Sequence, residues 1–552
     1  MLFMVIGTSL WARGGAATTG PEELLEVTWN GGSGSWAEYP DNPLNLWLIE
    51  NMNIRLVKVR VNSEMKQAMA ASGDLTDIWS IEHSEEPPYV EAGYIVPFND
   101  LVDEYGVNIK KYMPLALEFA KEYRAHPDGK FYGMPGVNPG VEEYTLYGGH
   151  PSLTMGVRWD YWKEIGTPRP STIDEAVDML AQMVKNNPTT EEGLRVYGLG
   201  GRPAEISDLI RPMCSYFGYQ NINGTWGIII SSKTGELVPA YSQPDSPLWT
   251  MMEFWYKQNQ AGIFDPDMFL ATSRDDIGAK AAKGQYVAIL YGFMARAANA
   301  VYGNEGKGFV GLPWDGGGVW GGSYNPWGGG NSRTISAKAK DVERVFQFLD
   351  WGYGEEALRF FANGIPGENW DVVDGMATLR QETIDLWKNG GEPFQKSGIM
   401  QIGWGGNMQG FIAADGQPAD LFNTDRVAVQ LMTKTDIGFA RNFGFETPRG
   451  YWKSLEADGS ITTHKNIDYR VKDRLPQFPN NLRRIITRVE ELIVRGAADI
   501  IMAPNDSAYE AGKSAMLRDI ADLGFDQVEE FVQMKWDELS RKFGPRPDPP
   551  SN

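Results

Sequence analysis

The chain has 552 residues and a mass of 61.5 kDa, which is too long for one ordinary hydrophobic core and favours two lobes. Apolar residues make up 42% and charged residues 22%, as expected of a well-packed globular protein. The formal net charge of −21 argues against a nucleic-acid partner and against binding to an anionic membrane surface, because both require a basic face. A neutral ligand fits this charge best.

The first elements predict a targeting segment. Residues 1–17 begin with an apolar run, Met1–Trp11, and continue with small residues, as in a secretory signal. This run is too short to span a bilayer. We therefore expect a secreted protein in the periplasm or another extracytoplasmic space. No cysteine lies near the expected cleavage region, so we expect no N-terminal lipid anchor.

The segment that follows alternates strands and helices. Strands are predicted at Leu25–Trp29, Ile54–Val61 and Asp77–Ser80, and helices at 42–51 and Ser63–Ala71. This β-α-β-α-β order is typical of a mainly parallel sheet covered by helices.

The rest of the chain continues the pattern. Ser171–Glu175 is a capping signal for a helix that runs to Val184. A polar helix at 275–283 precedes a strand at Gln285–Tyr291, and the glycine-rich segment 316–330 is predicted to cross between lobes. Residues 479–543 are strongly helical in pattern.

The number and spacing of the cysteine and histidine residues do not favour a metal site or a catalytic thiol. The one cysteine, Cys214, is flanked by Met213, Tyr216 and Phe217, which predicts a buried structural thiol. The four histidines form no HExxH pair and no close cluster. No metal and no cofactor is predicted.

Several motifs, in order, resemble family 1 extracellular solute-binding proteins, the carbohydrate-binding components of ATP-driven (ABC) importers. They include Met69–Ile78 (MAASGDLTDI), Gly93–Leu101 (GYIVPFNDL), Pro127–Pro135 (PDGKFYGMP), 157–163 (VRWDYWK) and 361–368 (FANGIPGE). The long form of the family, which includes alginate-oligosaccharide binders, is the most similar. The resemblance implies a periplasmic-binding-protein type II fold, with two doubly wound α/β lobes joined by a hinge and a ligand cleft between them.

From this resemblance and the element order we expect an N-terminal lobe of 26–150 plus 322–375 and a C-terminal lobe of 151–321 plus 376–552. Our hypothesis is that a neutral sugar or oligosaccharide binds a monomer, favours closure of the hinge, and is delivered to the membrane permease subunits of an ABC importer.

One segment departs from the long form of the family. Those proteins carry an acidic, glycine-rich calcium loop, and the corresponding stretch here is 187–195, NPTTEEGLR. It lacks oxygen ligands at alternate positions. We therefore expect this calcium site to be absent.

The 19 tryptophans and 23 tyrosines supply candidates for sugar stacking, since pyranose rings present C–H faces to aromatic rings. Trp36 comes after the first predicted strand and Trp79 lies near the end of the third, at the carboxyl ends where ligands bind in doubly wound sheets. Tyr291 ends a later strand, and Glu82 is a candidate hydroxyl partner. The other candidates lie in glycine-rich loops: Trp320, Tyr324, Trp327, Trp404 and Asn407. In the alginate-binding relatives the position of Trp404 also faces ligand.

Three alternatives stay open at this point, one of which is a peptide or lipid-precursor binder on the same scaffold, since a fold alone does not determine its ligand. Each of these aromatic rings could instead pack in a core, as we expect of Trp159, Trp162, Trp255 and Trp351, which lie in helical patterns. The third alternative is a secreted carbohydrate-active enzyme such as a polysaccharide lyase. No GxSxG, phosphate-loop or dinucleotide motif supports an enzyme, and nothing distinguishes a carboxylate pair among the 72 acidic residues.

Overall fold

The computed structural model describes residues 23–32, 34–136, 146–147, 150–151, 153–222, 224–317, 331–403, 411–461 and 467–545. They fall into two compact units. Unit 1 takes its residues from Met1–Pro139, Trp327–Met408 and Ile412–Leu421, and unit 2 from Gly140–Pro326, Gln409–Phe411 and Phe422–Asn552. The predicted signal segment, residues 1–17, lies outside the described residues.

The division differs from the predicted lobes near residue 375. The sequence predicts 376–421 in the C-terminal lobe, whereas most of this stretch falls in unit 1. The reason is a hairpin: Trp370–Val373 pairs antiparallel with Met376–Leu379, so a boundary at 375 would separate two hydrogen-bonded strands. Asp415 holds the hairpin further, because its Oδ2 accepts from the Ala377 amide at 2.9 Å.

The main sheet of unit 1 has the order β2-β1-β3-β14-β4. The strands are β1 (Leu25–Trp29), β2 (Ile54–Lys58), β3 (Ile78–Glu82), β4 (Gly133–Pro135) and β14 (Asn331–Ile335). β1 is parallel to β2 and β3, and β14 is antiparallel to β3 and β4. The carboxyl ends of β1–β4 and the start of β14 therefore share one edge, which we call edge 1.

Helices cover this sheet, as predicted for an α/β protein. In the first part of unit 1 they are α1 (Pro43–Met52), α2 (Ser63–Ser72), α3 (Glu86–Glu91), α4 (Asn99–Tyr105), α5 (Val107–Tyr112) and α6 (Pro114–Tyr123). After β14 come α13 (Val342–Trp351), α14 (Glu355–Asn363), the hairpin β15–β16 (Trp370–Val373 and Met376–Leu379), α15 (Gln381–Asn389) and α16 (Gly391–Ser397).

The main sheet of unit 2 has the order β13-β7-β12-β8. Its strands are β7 (Gly156–Arg158), β8 (Tyr197–Gly200), β12 (Tyr286–Ile289) and β13 (Phe309–Gly311). β12 is parallel to β8, and β7 is antiparallel to β12 and β13. The carboxyl ends of β8, β12 and β13 therefore share an edge with the start of β7, which we call edge 2.

Smaller sheets and many helices complete unit 2. The remaining strands are β5 (Leu146–Tyr147), β6 (His150–Pro151), β9 (Tyr219–Asn221), β10 (Ile228–Ser231) and β11 (Leu237–Pro239). The helices before β13 are α7 (Trp159–Glu164), α8 (Ile173–Asn186), α9 (Ile206–Phe217), α10 (Pro247–Gln260), α11 (Arg274–Ala282) and α12 (Arg296–Tyr302). Those after it are α17 (Asp425–Leu431), α18 (Lys434–Asn442), α19 (Pro448–Ala457), α20 (Tyr469–Lys472), α21 (Asn480–Ile501), α22 (Asp506–Asp522) and α23 (Asp526–Phe543).

Local sequence explains why these elements begin where they do. Thr172 accepts a hydrogen bond from the Glu175 amide and caps α8, as the capping signal predicted. Burial alternates along β1, where Leu25, Val27 and Trp29 face the core. The predicted α/β class is confirmed, and so is the predicted burial of Cys214. The tryptophans assigned to cores from helical patterns are buried: Trp159, Trp162, Trp255 and Trp351.

Candidate functional site

Edge 1 carries a set of polar side chains held by the strands that end there. The Trp29 indole N–H donates to Ser80 Oγ at 2.8 Å. Asn30 makes two contacts with the Ser80 backbone: its Oδ1 accepts from the amide at 2.7 Å, and its Nδ2 donates to the carbonyl at 3.2 Å. Asn30 and Ser80 are both half-buried, so the network fixes polar groups at the surface of the edge.

The loop after β1 can follow this path only because it contains glycine. Gly32 has φ +76°, and a Cβ there would lie 2.2 Å from the carbonyl oxygen of Ile402. Beneath the loop, the Arg333 guanidinium lies over the Trp29 ring at 5.3 Å from its centroid. The Trp29 indole and the Arg333 guanidinium are buried and pack against each other next to this edge. Asn331, which pairs with Glu82 in the β14–β3 register, is exposed on the edge.

A buried charged cluster lies where β3 gives way to α3. Glu86 Oε2 lies 3.1 Å from His83 Nδ1 and 3.2 Å from His126 Nε2, and all three residues are less than a tenth exposed. Burial acts to raise the pKa of Glu86, but the charge of His83 and the hydrogen bonds from both imidazoles outweigh it and hold that pKa below its usual range. Through the contact between Glu86 and His126, the cluster connects the segment after β3 with the segment before β4.

Edge 2 is built around one buried carboxylate. Asp208, near the start of α9, is fully buried and binds two arginines: its Oδ2 accepts from Arg202 Nε at 2.9 Å, and its Oδ1 from Arg274 Nη2 at 2.5 Å. Arg202 follows β8, and Arg274 begins α11, the helix that leads back into β12. Burial acts to lower the pKa of Arg274, but its hydrogen bond to Asp208 raises it, so this group stays charged.

Aromatic rings complete edge 2. Tyr291, just after β12, stacks on Phe293 with centroids 5.2 Å apart and planes 9° apart. Two guanidinium groups lie over the Tyr291 ring, that of Arg274 at 5.3 Å and that of Arg211 at 5.7 Å from its centroid. Trp314, just after β13, is buried and stacks on Tyr216. The edge therefore combines cationic groups with buried aromatic rings.

The structure gives the predicted site residues different environments. Trp36 and Trp79 are 1% and 0% exposed within unit 1. The Trp36 indole inserts beneath its loop and donates to the Leu56 carbonyl at 3.1 Å, while Trp79 packs with Tyr89. Glu82 is exposed at the end of β3, whereas Tyr291 is 0% exposed. Ligand contact by these residues stays a prediction, and in this conformation only Glu82 presents its side chain to solvent.

The other predicted candidates, Trp320, Tyr324, Trp327, Trp404 and Asn407, lie outside the described residues. The sequence analysis missed Asn30, Ser80 and Asn331 at edge 1, and the arginines with Asp208 at edge 2. A signal for the first set was available: Asn30 directly follows the first predicted strand. The arginines carried no local signal, because they come from three separate segments.

The described residues offer no group of three or more histidine, cysteine or acidic side chains arranged to hold a metal ion. The segment 187–195, which we expect to lack calcium, forms a turn closed by its own backbone, with the Thr190 amide donating to the Leu194 carbonyl at 2.8 Å. The absence of calcium there stays a prediction. Within the described residues, none of the helices combines the length and apolar composition of a membrane-crossing segment.

Comparison with solved structures finds proteins with a similar fold. The chain is similar to a human-milk-oligosaccharide (HMO) binding, ABC-transporter-associated solute-binding protein from Bifidobacterium longum infantis, with a TM-score of 0.62 over 94% of this chain and 99% of that one, at 13% identity. It is similar to the alginate-binding protein AlgQ2, with a TM-score of 0.57 over 94% and 99% of the two chains, at 16% identity. The chain has the fold of the ABC-transporter solute-binding proteins.

Comparison of sequences adds a shorter match. A segment of 134 residues is 28% identical to the fructooligosaccharide ABC transporter substrate-binding protein FusA of Streptococcus pneumoniae serotype 4. This segment covers 23% of the chain and 24% of FusA. No protein-family model matches the chain. The predicted resemblance to carbohydrate-binding components of ABC importers thus agrees with the solute-binding fold.

Proposed function

We propose that this chain is an extracytoplasmic solute-binding protein that captures a sugar or oligosaccharide and delivers it to the membrane permease subunits of an ABC importer. The fold supports this proposal, and so do the names of similar proteins, which bind fructooligosaccharides, milk oligosaccharides or alginate. We expect the protein to act as a monomer, which light scattering after size exclusion tests directly.

The observation that carries the proposal is the arrangement at edge 1. Ligands of open α/β sheets bind at the carboxyl ends of strands. There Asn30, Ser80 and Asn331 offer amide and hydroxyl groups, and Glu82 a carboxylate, on a rigid sheet edge. Such groups donate to and accept from sugar hydroxyls, which gives a carbohydrate ligand its orientation.

Isothermal titration calorimetry with a panel of oligosaccharides tests this proposal. We expect at least one oligosaccharide to bind, and Asn331→Ala to weaken that binding about tenfold through loss of a hydrogen bond. The side chain of Asn331 is exposed, so its loss should leave the melting temperature nearly unchanged. Asn51→Ala, an exposed asparagine on α1, is the matched control.

The outcomes separate the site from the function. Absence of binding by every oligosaccharide in the panel would refute the function. Binding that is unchanged in Asn331→Ala would keep the function and remove edge 1 from the site.

The alternative, a secreted polysaccharide lyase, predicts catalysis. The similar proteins named above are binding proteins, which favours transport. Incubation of the purified chain with polysaccharides should therefore produce no new reducing ends and no unsaturated products. Their appearance, at a rate proportional to protein concentration, would establish the enzyme instead.

A further inference from the structure

The hairpin β15–β16 of unit 1 ends in exposed apolar side chains. Val372, Val373 and Met376 are 66%, 49% and 51% exposed. Val373 lies opposite Met376 in the register and shares a face with it, whereas Val372 lies on the other face with Ala377. We call Val372, Val373 and Met376 the apolar tip. Apolar side chains exposed singly are ordinary, but a contiguous exposed group is typical of an interaction surface.

The turn between the two strands holds the apolar tip in one conformation. Asp374 and Gly375 have φ of +53° and +82°, as a two-residue type I′ turn requires. Arg380, just after β16, bridges the strands by donating to both carboxylate oxygens of Asp371, at 2.6 and 3.0 Å. Because the hairpin is already ordered, a partner that binds it loses little free energy to fixing its conformation.

The base of the hairpin is anchored in unit 1. The Ala377 amide donates to Asp415 Oδ2 at 2.9 Å, and the Ala377 carbonyl accepts from Gln417 Nε2 at 2.8 Å. Arg359 Nη2 in turn donates to Asp415 Oδ1 at 2.6 Å. Ala377 and Leu379 are buried, so exposure rises from the base of the hairpin toward the apolar tip.

Acidic side chains dominate the surroundings of the apolar tip. Residues 368–382 contain four acidic residues and one basic residue, Arg380. Asp374 is exposed within the turn. Glu368 and Glu382 are exposed and interact electrostatically with Arg380. The apolar tip therefore has an acidic rim.

This charge narrows the range of surfaces that suit the apolar tip. An anionic lipid surface repels an acidic rim. A second copy of the chain in a two-fold interface would place the same acidic residues opposite one another, which is also unfavourable. The complementary surface is an apolar recess with basic residues around it.

We propose that the apolar tip binds in an apolar, basic-rimmed recess on a membrane permease subunit of the importer. This inference rests on the proposed function, which requires the chain to contact those subunits when it delivers sugar. Burial of the three apolar side chains supplies the attraction, and pairing of the acidic rim with basic residues orients the complex. None of these side chains takes part in the hydrogen bonds described at edge 1.

Photo-crosslinking in the producing organism identifies the partner. p-Benzoylphenylalanine replaces Val373 in one full-length chain and Val107 in another. Val107 is the matched control, because it begins α5 of unit 1 and is 61% exposed. Mass spectrometry identifies the crosslinked species after irradiation. We expect a crosslink from position 373 to a membrane permease subunit of an ABC importer, and none from position 107.

Substitutions that keep the shape of the apolar tip but make it polar measure its contribution. Val372→Thr, Val373→Thr and Met376→Gln are combined in one chain, and Val107→Thr is the control. Spheroplasts of the producing organism that lack the chain receive each purified protein, together with the labelled oligosaccharide that binds wild type most tightly in calorimetry. We expect half-maximal uptake to require about 10- to 100-fold more of the triple variant, the loss expected when buried apolar contacts become polar.

Two further measurements separate docking from folding and from charge. The melting temperature and oligosaccharide affinity of the triple variant should match wild type, since its three changed side chains are exposed and β15 keeps its β-branched residues. Asp374→Asn, which suits the same turn, should raise the protein concentration for half-maximal uptake by a smaller factor. That factor should shrink as salt is raised, because screening weakens charge pairing.

Three results would overturn the inference while keeping the proposed function: a crosslink from position 373 to lipid or to a second copy of the chain, no crosslink from that position, or uptake by the triple variant equal to wild type. Absence of oligosaccharide binding by the wild-type chain would instead refute the proposed function. The crosslinking experiment does not depend on knowing the ligand, so it would still decide whether the apolar tip binds a permease subunit.

Discussion

Glu86 gives the most direct test of what holds edge 1 in place. Its carboxylate is buried and contacts the imidazoles of His83 and His126 through one oxygen. Each hydrogen bond to a charged group contributes about 1.5–3 kcal/mol, and removing one partner of a buried ion pair costs about 3–5 kcal/mol. Glu86→Gln keeps the shape and removes the charge, so we expect a loss of about 3 kcal/mol in the free energy of unfolding of unit 1.

The pH dependence follows from the lowered pKa of Glu86. A carboxyl whose pKa is lower in the folded state stabilises the protein fully above its unfolded value, about 4.3, and loses this contribution as the pH falls below that value. The wild-type advantage over Glu86→Gln should therefore be complete near neutral pH and shrink progressively below about pH 4. Urea denaturation curves of the two proteins, recorded at a series of pH values across this range, measure the difference in the free energy of unfolding.

Glu91→Gln supplies the control, since Glu91 lies at the other end of α3 and is exposed. We expect it to match wild type within about 0.5 kcal/mol. Equal stability of Glu86→Gln and wild type at neutral pH, or a difference that does not vary with pH, would refute the argument that a charged Glu86 supports this edge.

Three further predictions concern single side chains. Burial raises the pKa of the Cys214 thiol, so a thiol reagent should modify it only after denaturation, and stoichiometric labelling of the native protein would contradict this. Asp350 accepts hydrogen bonds of 2.9–3.0 Å from two backbone amides at the start of α5. Asp350→Ala should therefore lower the free energy of unfolding by about 2 kcal/mol, and Asp350→Asn should lower it by less. Urea titration measures both differences. Gly32→Ala should destabilise unit 1 by about 1–3 kcal/mol in the same assay, because of its positive φ and the nearby Ile402 carbonyl; an unchanged midpoint would show that the loop moves freely.

The elements of the fold could largely be predicted from periodicity and caps. The strand at Leu25–Trp29 is predicted with the bounds that the structure has. These signals are local, so neighbouring residues specify them. The second strand was predicted to Val61 but ends at Lys58, because β1, its partner, ends at Trp29 and leaves later residues without a ladder.

The candidate site could be predicted only in part, because pairing in space determines it. Arg202 and Arg274 are brought together by Asp208, and no spacing in the sequence links the three. To predict edge 2, one would need to know that β8 and β12 are neighbours in the sheet, and only the folded structure shows this pairing.

Edge 1 shows how a glycine-rich loop packs closely over an indole. Glycine lets the backbone approach its neighbours closely: a Cβ at Gly34 would lie 2.4 Å from the Gln401 carbonyl oxygen. The loop therefore packs down, and the Trp36 and Trp29 indoles are buried beneath it, donating to a backbone carbonyl and to Ser80. Among the described residues, the side chains that remain accessible at this edge are the amides of Asn30 and Asn331, the hydroxyl of Ser80 and the carboxylate of Glu82. These polar groups are the ones that our proposal assigns to sugar hydroxyls, and the buried indoles hold the loop and the strand that position them.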